Sequence, residues 1–350
     1  MSLIEYSLYL VLMLSVFGML MLFVSYIVYA ERRVSAFIQD RLGPNRVGWQ
    51  GLMQPWADAI KLILKEDIYP DKADKFLFFL APFIAFAPGL ITFALIPIGS
   101  LDFSDPQAAL AISNINVGIL FILAIGSLNF YGLAFGGWAS NNKWSLFGGL
   151  RASAQMISFE IAMGFALISI LMTAESVNMN SIVHSQTGTL WGFIPRWNVF
   201  VQPLAFLVFL IAAFAENNRL PFDMPEAEPE LVGGYHTEYS SLKFGLFFLG
   251  EYAALITMSA VIVTLFFGGW TLPWVSQETM ASWGWGPIIS GLFSFAVFIV
   301  KWFAVMFFYI WVRWTLPRVR YDQLMNLGWK VLIELAFLNI LITAAIGLWL

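Results

Sequence analysis

Eight apolar runs, each about 20 residues long, constrain this chain more than any other feature. They cover residues about 6–30, 76–98, 115–137, 152–174, 198–215, 243–267, 287–311 and 329–349. A helix rising about 1.5 Å per residue needs about 20 residues to cross the hydrocarbon of a bilayer. The runs therefore predict an all-α integral membrane protein, a single transmembrane domain over residues 1–350. The fifth run is short and carries Pro203. Charged residues make up 11% of the chain, under half of the roughly 25% usual in soluble domains. The first 30 residues hold no Lys or Arg, and their apolar run exceeds a signal-peptide core, so it reads as a retained span. No internal repeat is evident, which argues against a duplicated transporter architecture.

The basic residues are sorted by location. Loops 31–75, 138–151, 216–242 and 312–328, with their edges, carry all of them except Arg196 and Lys301. Excess Lys and Arg mark the cytoplasmic side. Both termini are then expected on the outer, periplasmic side.

Within the loop 31–75, Leu42-Gly43-Pro44-Asn45-Arg46 reads as a turn. After it, Trp49, Leu52, Met53, Trp56, Ile60, Ile63 and Leu64 recur at spacings of three and four. Gln50, Gln54, Asp58, Lys61 and Lys65 fall on the other face. This pattern predicts an interfacial amphipathic helix over about 49–66, too polar to span. It could lie at the headgroups or roof an internal cavity. Trp56 and Asp58 face different directions. Trp56 is expected at lipid or at a cavity mouth, and Asp58 towards the loop carrying Arg41.

The loop 216–242 carries Glu216, Asp223, Glu226, Glu228, Glu230 and Glu238, with Glu251 just beyond. Pro221, Pro225 and Pro229 fall every fourth residue and prevent a regular helix. A solvated acidic loop is the simpler reading. Phe222, Leu231, Val232 and Tyr235 interleaved with the acids favour an ordered one, with Arg219 expected to bind Glu216 or Asp223. Crowded, desolvated carboxylates have raised pKa values and can exchange protons near neutrality.

Four charges fall within apolar runs: Glu160, Glu251, Lys301 and Glu334. Counting helical rise from the basic ends puts Glu160 and Glu251 roughly 12 Å deep and Lys301 roughly 15 Å. This clustering predicts a hydrated pocket under the acidic loop. Such charges face the bundle interior and suggest function. Lys301 could pair with a glutamate, Glu334 could snorkel to the interface, and Glu160 and Glu251 read as a proton relay.

The chain has no cysteine, which excludes iron–sulfur ligation and thiolate metal sites. His184 and His236 lie in different loops and make a poor haem pair. The chain is expected to hold no redox centre and no covalently bound cofactor.

The segment AENNRLPFDMPEAEPELVGGYHTEYS, residues 215–240, resembles the signature of the NADH dehydrogenase subunit 1 family, the H subunit of respiratory complex I. Glu31-Arg32-Arg33, the Arg41-to-Gly48 turn and Trp56-Ala57-Asp58-Ala59-Ile60-Lys61-Leu62 resemble that family's first cytoplasmic loop. The resemblance runs over nearly the whole chain. It implies a membrane component of NADH:quinone oxidoreductase in a bacterial inner membrane, beside quinone-module hydrophilic subunits and small membrane subunits. Its substrate would be a quinone, with FMN and iron–sulfur clusters on partners. Carried over by position, Glu31, Arg32, Arg41, Trp56, Asp58, Arg219, Phe222 and Asp223 are implied to line or border a quinone tunnel. Glu160, Glu216, Glu226, Glu228 and Glu251 are implied to begin an acidic proton path. The alternative is the homologous component of a membrane-bound hydrogenase or a related ferredoxin- or formate-linked complex.

Overall fold

Each apolar run contains a helix. The computed structural model describes residues 3–105, 108–190, 192–226 and 228–349, with the backbone alone for 3–13, 16, 228, 229 and 349. Helix α1 (Leu3–Ile38) continues past residue 30 and brings Glu31, Arg32 and Arg33 with it. A 3-10 turn at Trp49–Gly51 precedes α2 (Gln54–Leu64). The amphipathic segment is thus a turn plus a helix, because Gly48, Gln50 and Gly51 all take positive φ. Asp74 caps α3 (Lys75–Phe93), accepting from the Leu77 amide at 3.2 Å. This helix ends before residue 98, because Ile98 N donates to Leu110 O and Leu110 N to Gly99 O. The third run is α4 (Gly118–Gly126) and α5 (Leu128–Ala139), joined at Ser127.

Helix α6 (Lys143–Ala174) begins well before residue 152, at Asn142, whose side chain accepts from the Trp144 amide. Short α7 (Met179–Ser185), a hairpin of β1 (Thr189–Leu190) and β2 (Ile194–Pro195), and α8 (Asn198–Val201) follow. Gln202 and Pro203 then break the fifth run, leaving α9 (Pro203–Glu216) with 14 residues. The acidic loop holds one helical turn, α10 (Glu228–Leu231), and leads into α11 (Ser241–Phe266). After α12 (Gln277–Ser282) come α13 (Pro287–Thr315), α14 (Tyr321–Leu327), a π turn at Gly328–Leu332 and α15 (Ile333–Trp349). Among the described residues, six helical segments are long and apolar enough to cross a membrane, and α9 is a shorter apolar one.

Helices α6 and α11 form the centre. Phe159, Ala162, Ala166 and Ile170 of α6, and Ile256, Ala260, Val263 and Phe266 of α11, are almost fully buried. Leu14, Phe17, Ile288, Val300, Phe307 and Ile346 face outward and exposed, as expected of surfaces that meet lipid or neighbouring chains.

The acidic loop is held against this centre. Gln155 of α6 is fully buried, and its Nε2 donates to Ala215 O at 2.6 Å and Phe222 O at 2.7 Å. Arg318 donates to Asp223 O, and Val319 N donates to Pro221 O at 3.1 Å. Beside them Gly148 of α6 touches the loop backbone. A Cβ at that position would lie 2.4 Å from Tyr235 N. Helix propensity alone would favour alanine by up to about 1 kcal/mol, but backbone cannot yield as a side chain tip can. Gly148→Ala is therefore expected to destabilise the protein by about 1–3 kcal/mol, read as a lower thermal midpoint in detergent. An unchanged or raised midpoint would show that α6 and the loop are not in this contact.

Candidate functional site

Two features lie at the end of the bundle that carries the basic loops: an apolar cavity and a network of buried charges.

The cavity has a volume of ≈ 340 Å³ and lies between α1, α2 and α11. Val28, Leu62, Phe248 and Leu249 supply its apolar wall, and Tyr29, Arg32 and Asp58 its polar side. Leu62 stands one turn beyond Asp58 on the same face of α2, so that face presents an apolar and a polar group to the cavity together. Arg32 Nη1 donates to Asp58 Oδ2 at 2.5 Å, and Lys61 Nζ approaches Asp58 Oδ1 at 3.5 Å. Partial burial works against ionisation of Asp58, but Arg32, Gln54 and Lys61 outweigh it and hold its pKa below the usual value. A groove of ≈ 390 Å³ adjoins the cavity further along α1 and includes Met21, Leu22, Tyr26 and Trp56. Both share Ser25, Pro55 and Ala59.

The expectation that Asp58 faces the loop carrying Arg41 needs correction. Because α1 stays helical to Ile38, Arg32 projects from it towards α2 and takes the carboxylate. Arg41 instead donates to Gln39 at 2.7 Å, at the exposed surface.

The charge network centres on Arg219. Its Nη1 contacts Glu31 Oε2 at 3.0 Å, and its Nε lies 2.6 Å from Glu251 Oε1. Its guanidinium lies over the Tyr252 ring, 4.2 Å from the centroid. Arg313, in the last turn of α13, reaches Glu31 Oε1 at 2.5 Å. Two guanidinium groups thus balance two carboxylates across α1, α11, α13 and the loop. This replaces the expected pairing of Arg219 with Glu216 or Asp223. The reason is local: Asn218 takes φ 50°, reversing the chain between Glu216 and Arg219. The two side chains therefore point to opposite sides.

Glu216 is half-buried, with its Oε2 out of contact with solvent, and faces away from Arg219. With Glu226 and Glu251 it lines a small cavity of ≈ 20 Å³, together with Asn129 and Asn218. A second cavity of ≈ 40 Å³ continues from Glu216 past Asn129 towards Thr92 and Thr257. Each has room for a water molecule. Glu160 of α6 stands near enough to repel Glu216. Among the described residues, no basic side chain lies within 4 Å of Glu216 or Glu160. Glu228 enters only through its backbone, and its side chain lies outside the described residues.

At the rim, Asp223 Oδ2 lies 3.8 Å from Arg318 Nη2. Burial pushes the Asp223 carboxyl up to about 7; Arg318 and Arg219 oppose the shift and Glu251 adds to it. Phe222 stacks on Phe159 with centroids 6.2 Å apart. His236 Nδ1 is 3.9 Å from Glu226 Oε1. Burial pulls the imidazole down to about 4, so at neutral pH this contact joins an uncharged ring to the acid.

Lys301 forms no ion pair with a glutamate within 4 Å among the described residues. It bonds three backbone carbonyls beyond the far end of α11 instead. Glu334 is exposed on α15, away from the network. Sequence reasoning also missed Arg313, Gln155, Asn129 and Tyr252. Gln155 was the most visible of these, as an amide in the middle of an apolar run.

The network yields an ordered pair of outcomes. Arg219 is 2% exposed and holds two carboxylates; Arg313 is 24% exposed and holds one. Removing one partner of a buried ion pair costs about 3–5 kcal/mol. Arg219→Gln should fall in that range, and Arg313→Gln below it. Assembly yield and thermal midpoint of the two variants measure this, and an Arg313 variant as damaged as the Arg219 variant would refute the ranking.

A family model described as NADH dehydrogenase matches residues 11–344. The H subunit of the NADH-quinone oxidoreductase of Syntrophotalea carbinolica is 46% identical over 335 residues, covering 95% of this chain and 94% of that protein. The H subunit from Flavobacterium johnsoniae is 47% identical, covering 96% and 94%. NADH-quinone oxidoreductase subunit 8 of Rhodothermus marinus is 48% identical, covering 93% of each. With fold, length and both loop motifs in agreement, the chain belongs to the NADH dehydrogenase family of membrane proteins and groups within it with the H subunits of NADH-quinone oxidoreductases.

Proposed function

We propose that this chain is a membrane subunit of a proton-pumping NADH:quinone oxidoreductase in the bacterial inner membrane, and that it guides the quinone and begins the proton path. One observation carries the reading: an apolar cavity with the ion pairs of Asp58 on its wall lies beside a balanced charge network and a cluster of buried acids. A quinone has an apolar tail and two carbonyl oxygens, so it suits a greasy channel with few polar groups. The cavity's ≈ 340 Å³ suits part of such a molecule, with the groove beside Trp56 as its way in from lipid. Arg32 offers a donor to a quinone carbonyl oxygen, and Asp58 an acceptor for the hydroxyl of the reduced quinol.

Reducing the quinone to quinol takes two electrons and two protons. The chain has no cysteine, so the electrons come from FMN and iron–sulfur centres on partner subunits. Arg41, exposed at the basic end beside the turn, suits contact with a hydrophilic partner from the quinone module. Glu31 and Arg219 stand behind the cavity wall and tie its charge to Glu251. Phe222 and Asp223 border the route from the loop side. Glu226, Glu216, Glu251 and Glu160 then offer successive sites where a proton can rest, and the neighbouring backbone puts Glu228 in the same loop. The sorted basic residues support a cytoplasmic position for this end, with small membrane subunits against the exposed helix faces.

The cavity is tested by filling it. Leu249→Trp adds volume to the wall without touching a charge. The KM for a long-chain quinone should rise severalfold while NADH oxidation by a water-soluble acceptor is unchanged. An unaltered KM would remove the cavity from the quinone's path.

The loop is tested by pH. An Asp223 carboxyl titrating at about 7 is protonated below that value and ionised above it. Asparagine mimics the protonated form alone. Asp223→Asn should therefore approach the wild-type quinone reductase rate below about 7 and fall behind it above. A constant ratio from one unit below to one unit above would mean that Asp223 does not titrate in turnover.

A further inference from the structure

The mechanism makes no use of Lys301, a half-buried charge. Lys301 lies midway along α13, yet its ammonium meets the chain just beyond the far end of α11. Nζ donates to Phe267 O at 2.7 Å, Gly269 O at 2.9 Å and Thr271 O at 2.5 Å. The Trp197 ring lies beneath it, 4.4 Å from the centroid.

The cage is built for a cation. Gly268 and Gly269 have φ of 68° and 52°, which bends the chain so that alternate carbonyls converge. A Cβ on Gly268 would meet Trp197 Nε1 at 2.7 Å, so the turn closes tightly on the ring. Three acceptors use all three protons of an ammonium group. A neutral amine has two protons, and its lone pair would oppose the third carbonyl. A helix C-terminus also favours positive charge. The remaining carbonyls at this end are met by neutral amides: Gln186 Nε2 donates to Thr264 O at 2.9 Å and Asn198 Nδ2 to Leu265 O at 2.7 Å. Lys301 thus contributes the only basic side chain bonded to these carbonyls among the described residues.

Its position relative to the acids gives this charge a purpose. From Glu251 to Phe267, α11 rises about 24 Å. Between them Leu255, Ile256, Ala260, Val261, Ile262, Val263, Leu265 and Phe266 are buried and apolar. The hydroxyls of Ser259 and Thr264 turn back onto the helix carbonyls at Leu255 and Ala260. The acids open towards one end of the bundle, and the fixed cation stands at the other.

We propose that Lys301 is an electrostatic seal. Its caged ammonium repels protons and metal cations and bars them from crossing this chain between the acid cluster and the opposite surface. Protons taken up by the acids then leave sideways, into neighbouring subunits. A fixed positive charge beyond a dry, apolar stretch adds to the barrier that cations meet.

The purpose assigned to the seal rests on the proton-path reading above; the leak measurement, made without turnover, does not. The assembled complex is reconstituted in vesicles, a pH gradient is imposed, and its decay is followed with a pH-sensitive dye. Lys301→Gln keeps amide donors for the cage but removes the charge; Lys301→Met removes both. Both should collapse the gradient severalfold faster than wild type, and Lys301→Arg should restore it. NADH oxidation by a water-soluble acceptor checks assembly. If Lys301→Gln holds the gradient as wild type does, whether or not Lys301→Met assembles or leaks, the charge is not the barrier and the proposal fails. Glu216→Gln in the same vesicles separates the two readings. Normal pumping there would refute the acidic path, while the leak of the Lys301 variants would still decide the seal.

Discussion

A guanidinium with almost no access to water needs carboxylates around it, and Arg219 recruits them from two helices far apart in sequence. Glu31 comes from α1 and Glu251 from α11, and Arg313 of α13 balances the second oxygen of Glu31. Each charge is tolerable only because the others are in place. The acidic loop is therefore fastened to two helices by one side chain, and through Glu31 to Arg313 of a third. Gln155 adds a neutral clamp by occupying two loop carbonyls. An irregular loop thereby gains a defined shape without regular secondary structure.

The same arrangement divides the acids into two kinds. Glu31 and Glu251 belong to a balanced set, each in contact with a guanidinium group. Glu216 and Glu160 have no such partner within reach among the described residues and repel each other. Asp223 falls between the two kinds, with burial raising its pKa against a distant Arg318.

Much of this was legible in the sequence. Apolar run length identified every long helix, and the spacing of Trp56, Ile60 and Ile63 revealed α2, because these signals are local. The charges within the apolar runs suggested a pocket shared by Glu160, Glu251, Lys301 and Glu334; Glu251 instead shares a cavity with Glu216 and Glu226. The partners were harder to read. Arg219 follows Glu216 by three residues, and proximity suggested a pair, but left-handed Asn218 turns them apart. Arg313 is 282 residues from Glu31, and nothing in either neighbourhood signals the contact. Lys301 was read with the glutamates because helix counting gives depth along its own axis. It cannot show that a long side chain reaches backbone carbonyls, which carry no residue-specific signal.

Helix α9 has 14 residues, a rise of about 21 Å against roughly 30 Å of hydrocarbon. A helix so short cannot bring both of its ends to the headgroups. One end of α9 therefore stops short of the headgroups, and the buried irregular chain after Glu216 suits that end, as the bottom of a well. Backbone at such a depth needs protein partners in place of solvent, and the buried Phe222, Met224, Leu231 and Tyr235 form the lining that keeps lipid out. The well sinks the acids into a medium of low polarizability while leaving its mouth open to whatever docks above. In this way a missing turn and a half of helix brings aqueous chemistry to membrane depth.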